Sequence, residues 1–230
     1  MVDIAAVLTV ATAFILGLGH SLDPDHVVAV STLLCNSTSL RKSIVSATAW
    51  GVGHSAVLLI VGLLVLGLRI VIPESVVNLL ELAAATMLIA LGILVIRPLV
   101  THWRHPHEQG ENHETHTHES AETHNHPHDH SHIHRFALTG VIQGLAGSAA
   151  IMLVALTTVS SWELGIIFIL VFGAGVILGM VGIACLISSL LNYTASRLEG
   201  IHEKITAVTG IISISFGIYL ITQVLLTYHY

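Results

Sequence analysis

The chain has 230 residues, of which 53% are hydrophobic and 10% charged, and its formal net charge at pH 7 is −6. A mean hydropathy of +0.83 excludes an ordinary soluble enzyme and a nucleic-acid-binding protein. The apolar runs are each close to the ~20 residues that a helix needs to cross a bilayer, whereas a β-barrel would show short alternating segments. The composition therefore predicts an all-α integral membrane protein surrounded by the lipid bilayer.

Six apolar segments predict six transmembrane helices. They cover residues 3–34, 43–69, 75–98, 136–160, 163–191 and 203–227, with boundaries good to a few positions. The first segment is too long for a straight crossing, and Asp23-Pro24-Asp25 interrupts it. Because proline removes a backbone donor and clashes with the preceding turn, we expect the first helix to be broken or kinked at Pro24.

A segment of different composition separates the third span from the fourth. Residues 101–134 hold twelve of the seventeen histidines and six acidic residues, with almost nothing apolar. Such a segment buries too little apolar surface to fold, so we predict a disordered loop. The chain is thereby divided into a first three-helix half (1–100), a histidine-rich loop (101–135) and a second three-helix half (136–230).

Alternating histidines near the end of this loop predict accessory metal binding. They are His124, His126, His128, His130, His132 and His134. Imidazole binds a metal in its unprotonated form, so capture by the loop should weaken below neutral pH. The loop is interpreted as a buffer or delivery segment for divalent metals, with a solvated linker as the alternative.

The distribution of basic residues predicts the orientation of the chain. Six spans would place seven of the Lys and Arg residues on one side of the membrane and only Arg69 on the other. The positive-inside rule then assigns both termini to the outside and the histidine-rich loop to the cytoplasm.

Short segments recur in the two halves and suggest an internal repeat. GLGHS (17–21) is similar to GLAGS (144–148), GVGHS (51–55) to GAGVI (173–177), and LGILVI (91–96) to FGIYLI (216–221), at spacings of 127, 122 and 125 residues. Because each half has three spans, the repeats would be inverted in the membrane. Chance similarity between glycine-rich apolar helices is the alternative. The polar residues do not repeat, which would place one site in the first half.

A cluster of ionisable residues lies inside the first predicted span. GHSLDPDHVV (19–28) contains His20, Asp23, Asp25 and His26 directly after sixteen uncharged residues. An unpaired charge near the bilayer centre costs roughly 2.5–3.5 kcal/mol. No Lys or Arg lies in this span, whereas one divalent cation would neutralise both carboxylates. If Asp23 caps the helix that follows Pro24, then His20, Asp25 and His26 are the better ligand candidates.

A further imidazole lies in the second span. His54 has a depth similar to that of His20, and Gly51 and Gly53 would permit close contact between the first two spans. A single histidine on an apolar helix is more often a packed core residue, but the neighbouring cluster makes His54 a fourth ligand candidate. Imidazole with few carboxylates and no thiolate favours Ni²⁺, Co²⁺, Zn²⁺ or Cu²⁺ over Mg²⁺ and Ca²⁺.

These motifs resemble those of the nickel/cobalt transporter (NiCoT) superfamily. His20-Ser-Leu-Asp-Pro-Asp25-His26 is similar to its HxxxxDH signature, and GHS at 53–55 is similar to the element in its next helix. The resemblance implies metal selection and transport by His20, Asp25, His26 and His54, with Asp23 as a further candidate. Gly19 and Pro24 replace an Arg and an Ala of the usual pattern. Six spans, rather than eight, are similar to the nickel/cobalt efflux and urease-accessory-like branches.

The expected function is that of a permease for Ni²⁺ and/or Co²⁺, with uptake favoured by the signature. One alternative is an efflux transporter that uses the loop as a metal collector, and another is a membrane metal sensor or accessory protein that does not transport. We expect no permanent cofactor beside the transported ion, and a cytoplasmic metal acceptor or donor as a partner. An enzyme is not expected, because no acid or base remains to act on a substrate.

Overall fold

The computed structural model describes residues 4–35, 37, 39–68, 72–102, 129–158, 161–195 and 201–227. Side chains at 5, 66, 101–102, 129–132, 148–158, 195 and 201–202 lie outside this description. The described part is helical, and its helices are α1 (Ile4–His20), α2 (Pro24–Leu34), α3 (Leu40–Leu68), α4 (Glu74–His102), α5 (Asp129–Thr158), α6 (Trp162–Ala195) and α7 (Ile201–Thr227).

The lengths and composition of these helices confirm an integral membrane protein. Helices α3, α4, α6 and α7 are each long and apolar enough to cross a bilayer, and the bent pair α1–α2 adds a fifth span. Helix α5 has 30 residues, which is long enough to cross as well, and it coincides with the fourth predicted span. Large apolar side chains such as Ile60, Leu79 and Ile211 are more than half exposed, as expected of surface that faces lipid.

The first span is broken where the sequence predicts the break. Helices α1 and α2 meet at an angle of 54°, and Pro24 occupies the first turn of α2. The His20 carbonyl, which Pro24 cannot reach as a donor, accepts a hydrogen bond from the Asp23 N–H at 3.0 Å instead. The Asp23 carbonyl then starts α2 by accepting from the N–H groups of His26 (3.0 Å) and Val27 (3.1 Å).

The ends of the histidine-rich segment differ from the expected disorder. Helix α4 continues to His102, and α5 already begins at Asp129, so residues 101–102 and 129–134 are helical. A helix propagates readily once it is nucleated, and polar residues outside the membrane can extend it at little cost. Residues 103–128 lie outside the described part of the chain.

Close backbone contacts between α1 and α6 are matched by contacts between α5 and α3. Gly17 lies against the carbonyl of Phe172, and Gly140 lies against the carbonyl of Trp50. The two glycines are 123 positions apart, and the two aromatic residues are 122 positions apart. A Cβ atom at either glycine would collide with the facing carbonyl, so each contact requires a residue without a side chain.

In two other helix pairs, each close contact has its counterpart within the same pair. Between α3 and α6, Gly51 faces Ile177 while Gly173 faces Ser55; between α4 and α7, Gly92 faces the Gly210 carbonyl while Gly217 faces the Ala85 carbonyl. In both pairs the contacts run antiparallel. If one half of the chain is superposed on the other, α3 and α6 exchange places, and so do α4 and α7. A two-fold axis perpendicular to the helices produces this relation.

The spacing of these contacts agrees with two of the three segment pairs found in the sequence. The spacing is 122 residues for α3 and α6 and 125 residues for α4 and α7. For α1 and α5 the packing gives 123 residues rather than 127, a difference of about one helical turn. In the structure, the counterpart of GLGHS (17–21) is therefore GVIQG (140–144). The pairing with GLAGS (144–148) that the sequence suggested was wrong by about one turn.

The expected role of Gly51 and Gly53 was wrong. Gly51 faces Ile177 of α6, and Gly53 faces the carbonyl of Ala137 in α5. These glycines therefore bring α3 close to the second half of the chain and not to the first span. His54 reaches the first span by its side chain.

Candidate metal centre

Three histidines from three helices form a cluster in the interior. His20 ends α1, His26 lies in the first turn of α2, and His54 lies halfway along α3. The ring centroids are 4.7 Å apart for His20 and His26, 5.3 Å for His20 and His54, and 5.0 Å for His26 and His54. One nitrogen from each ring lies within 4.8 Å of the other two.

Five of the six ring nitrogens of this cluster are buried without hydrogen-bond partners among the described residues. Among the described residues, none donates to or accepts from His20 Nε2 or either nitrogen of His26 and His54. The backbone of Gly140 lies beside His54 but does not meet hydrogen-bond geometry. A buried polar atom without a partner costs roughly 1–3 kcal/mol, so several in one place indicate a site that a ligand completes.

The two aspartates contact the imidazoles of His20 and His26 at Nδ1, which leaves Nε2 of each ring available. Asp23 Oδ2 lies 2.6 Å from His20 Nδ1, and Asp25 Oδ2 lies 2.9 Å from His26 Nδ1, although the latter contact is bent away from hydrogen-bond geometry. A carboxylate at Nδ1 favours the tautomer with its proton there, which leaves the lone pair on Nε2. The aspartates are thus placed to orient the imidazoles.

The position of Asp23 corrects the expectation that its side chain caps α2. Asp23 is the N-cap residue, but its side chain makes no capping hydrogen bond. Its carboxylate turns to His20 because the bend between α1 and α2 brings the two side chains together. The backbone carbonyl of Asp23 starts the helix without help from the side chain.

The four predicted ligands do not converge on a single point. His20, His26 and His54 form one group, while Asp25 belongs to a second, less buried group with Asp23 and His26. His26 is shared by both groups and is only 2% exposed. The structure thus contains a nitrogen-rich inner group and an oxygen-rich outer group that meet at His26.

Two residues that the sequence analysis did not assign to the site complete its surroundings. The Trp50 indole stacks on His54 with centroids 4.9 Å apart and meets His26 edge-on at 5.0 Å. Its Nε1 donates to Gln143 Oε1 at 2.9 Å, and Gln143 Nε2 donates to the Asp25 carbonyl at 2.9 Å and to Asp25 Oδ2 at 3.3 Å. The Trp50–Gln143–Asp25 link therefore joins α3, α5 and α2.

A local signal existed for each of these residues. Trp50 precedes His54 by four positions, which places both on one helix face, and Gln143 is an amide in an apolar helix. By the 123-residue spacing of α1 and α5, Gln143 also matches His20. Phe172, which matches Trp50, contacts the His20 ring with centroids 5.5 Å apart.

The donor set fits a divalent transition metal. Imidazole nitrogens around a tetrahedral ion at ~2.05 Å would lie about 3.4 Å from one another. Side-chain rotations would bring the three ligand nitrogens, one from each ring and now within 4.8 Å of one another, to that distance. Three imidazoles without a thiolate suit Ni²⁺, Co²⁺, Zn²⁺ or Cu²⁺, whereas Mg²⁺ and Ca²⁺ require oxygen ligands.

The predicted accessory histidines fall largely outside the described part of the chain. His124, His126 and His128 are not described, and His130 and His132 are described only as backbone in the first turns of α5. His134 is exposed on α5. Metal binding by these residues stays a prediction.

Residues 6–143 match the family model of NicO, described as high-affinity nickel-transport protein. The chain belongs to the NicO family. This match includes the broken span, the three clustered histidines and, at its last position, Gln143. The predicted membership of the nickel/cobalt transporter superfamily is confirmed, and so is the expectation of a multi-pass membrane protein from a metal-ion transport family.

Curated relatives of this NicO chain cover nearly its whole length. It is 35% identical over 219 residues to "Urease accessory protein UreH" of Bacillus sp. (strain TB-90), across 95% of this chain and 91% of the relative. It is 28% identical over 236 residues to "Putative nickel/cobalt efflux system MJ1092" of Methanocaldococcus jannaschii, across 98% of both chains. No solved structure matches the chain.

Proposed function

We propose that this NicO protein is a cell-membrane permease that moves Ni²⁺ and/or Co²⁺, with uptake as the favoured direction. Both termini lie outside in this proposal, and the histidine-rich loop lies in the cytoplasm, as the distribution of Lys and Arg predicts. The observation that carries the proposal is the cluster of His20, His26 and His54 beside a broken transmembrane helix, with five of its six ring nitrogens buried and without a hydrogen-bond partner among the described residues.

The ion exchanges water for imidazole nitrogen at this cluster. Its two positive charges are compensated by Asp23 and Asp25, which lie within 2.6 and 2.9 Å of the imidazoles of His20 and His26. Dehydration of an ion in the membrane interior is expensive, so both the ligands and the compensating charge are needed at one place. The aspartates also hold the ring orientation that directs Nε2 towards the ion.

Alternating exposure of the cluster arises from movement between the two halves of the chain. The matched antiparallel contacts of α3 with α6 and of α4 with α7 support a description as inverted three-helix halves, 1–100 and 136–230. Rocking of inverted halves about a site near the membrane midplane opens that site to one side at a time.

Metal flux into sealed vesicles of known orientation tests this function. With an indicator inside, the wild-type protein should move Ni²⁺ or Co²⁺ but not Mg²⁺, and His54→Ala should reduce that flux about tenfold or more. Val52→Ala is the matched control, because it truncates an exposed side chain of the same helix and should leave flux unchanged. Equal flux for wild type and His54→Ala would contradict the proposed site.

Efflux is the second candidate function. It is supported by the relative from Methanocaldococcus jannaschii, whose name refers to efflux and which aligns with 98% of this chain. The same vesicles decide the direction when a proton gradient of either sign is imposed. Metal movement only towards the side of the termini would replace uptake by efflux and leave the site assignment intact.

A further inference from the structure

A cavity of about 370 Å³ extends from the histidine cluster between α2, α4, α5 and α7. Its inner wall includes His20, Asp25 and His26, and its outer wall includes Glu81 of α4 and Gln223 of α7. Glu81 and Gln223 are exposed, whereas His26 is buried. The cavity therefore forms a path from the protein surface to the candidate metal centre.

The path opens towards one end of the helix bundle. Glu81 lies in the first third of α4, and Gln223 lies in the last turns of α7. Because α4 and α7 are antiparallel, these two positions are at the same end, and it is the end at which α7 finishes. In the proposed orientation this is the outside of the membrane.

The other end of the bundle is closed next to the cluster. Trp50 is fully buried and lies one turn from His54 towards the start of α3. Its ring covers His54 and the edge of His26, and its indole is tied to Gln143. The described residues thus give the cluster an open side and a side blocked by a large aromatic ring.

The charged residues that line the cavity are acidic. Its ionisable lining residues other than histidine are Asp23, Asp25 and Glu81, and none of the described lining residues is Lys or Arg. An acidic cleft with low-dielectric walls raises the local concentration of cations and their association rate. The inner wall also presents His26, which is 2% exposed and whose Nε2 has no hydrogen-bond partner among the described residues.

We propose that this cavity is the entry vestibule of the transported divalent cation and that Glu81 recruits the hydrated ion at its mouth. The ion then passes the carboxylates of Asp23 and Asp25 before it reaches the imidazoles. Glu81 acts on the hydrated ion by charge, since an exposed carboxylate does not replace the whole hydration shell. This inference rests on the proposed function, because it assigns an access route to the same site.

The test compares Glu81→Gln with Glu163→Gln in the vesicle assay. Glu163 is an exposed acid in the first turn of α6, outside the residues that line the cavity. Glu81→Gln should raise KM for Ni²⁺ or Co²⁺ about three- to tenfold, with an unchanged maximal rate, because it weakens capture and not dehydration. The difference from wild type should shrink at about 0.5 M salt, where the Debye length falls below ~8 Å. Glu163→Gln should behave as wild type.

The outcomes separate this inference from the proposed function. If wild type moves no metal, the transport function fails. If wild type is active, His54→Ala is inactive and Glu81→Gln has the KM of wild type, only the vestibule is overturned. An equal rise of KM for Glu163→Gln would also overturn it, since general surface charge would then account for the effect.

Cysteine labelling tests the open side without relying on transport. In a chain with Cys35→Ser and Cys185→Ser, we expect Gln223→Cys to react with a membrane-impermeant thiol reagent only from the side of the termini. Ser46→Cys, which replaces a buried residue of α3, should not react from either side. Labelling of Gln223→Cys from the opposite side would contradict the placement of the vestibule.

Discussion

Single residues of the metal centre depend on one another through Gln143. This amide is fully buried, accepts from the Trp50 indole and donates to Asp25. The stacking ring beside His54 and the carboxylate beside His26 are therefore positioned by one side chain. The amide has both a donor and an acceptor, so it can serve both partners, whereas an ionised carboxylate of the same shape can only accept.

Replacing this amide should affect both stability and metal handling. Gln143→Leu leaves the Trp50 N–H unpaired and removes the bonds of the amide to Asp25, which should lower the free energy of unfolding by about 1–3 kcal/mol. Thermal unfolding in detergent measures this loss, and vesicle flux should fall with it. Gln143→Glu retains an acceptor for Trp50 but places a second negative charge near Asp25, so its flux should be lower still. Wild-type flux in both variants would show that the link is dispensable.

The ligand candidates could be predicted because ionisable residues are rare in apolar membrane segments. His20, His26 and His54 were named for this reason, and the structure brings them together. The separate placement of Asp25 was not predictable, because it depends on the angle between α1 and α2. Trp50 and Gln143 had local signals, a shared helix face with His54 and an amide in an apolar helix, but their hydrogen bond to each other depends on how α3 and α5 pack.

Helix pairs in this fold approach so closely that single methyl groups decide their spacing. Gly140 lies against the Trp50 carbonyl, and a Cβ atom there would overlap with it. Gly182 of α6 provides a comparison, since no described atom would lie within 4 Å of an added Cβ. Comparing the two positions separates the effect of close helix packing from the general effect of replacing a glycine in a helix.

Alanine at these two glycines should give opposite results. Gly140→Ala forces α5 away from α3 and should lower the free energy of unfolding by about 1–3 kcal/mol, while Gly182→Ala should be neutral or raise it by about 0.4–1 kcal/mol. Thermal unfolding of the two variants in one detergent measures the difference. Equal stability would mean that α5 and α3 can separate without cost.

Most of the helix architecture could be predicted because membrane spans have a strong compositional signal. The six predicted segments agree with the helices to within four residues, except that α5 begins seven residues before the fourth segment, and Pro24 marked the break. The helical ends at 101–102 and 129–134 carry no such signal, since they are polar. Gly51 and Gly53 indicated a close contact, but a small residue does not specify which helix approaches it.

At the scale of the whole molecule, the histidine-rich segment and the membrane helices have separable roles. Because the candidate metal centre lies among α1, α2 and α3, it does not require residues 103–128. The alternative is that metal is handed on through the loop without transport by the membrane helices. Removing the segment distinguishes these roles.

Deletion of residues 105–128 leaves α5 intact, because that helix begins at Asp129. We expect the shortened protein to retain vesicle flux with a KM within about threefold of the wild-type value, since the binding site is unchanged. The detergent-solubilised protein should bind fewer zinc or nickel ions, because the sites of the loop are removed while the site among the helices remains. Complete loss of flux would favour the accessory function, in which the loop is the metal-handling part.

All three imidazoles of the centre come from the first half of the chain, while Gln143 of the second half takes the position that matches His20. The helices that carry these imidazoles pack most closely on the second half, with α1 on α6 and α3 on α5 and α6. Any movement that separates α5 from α2 and α3 must break the bonds of Gln143 to Trp50 and Asp25. The position that matches His20 in the second half thus joins the helices around the cluster instead of adding a fourth imidazole to it.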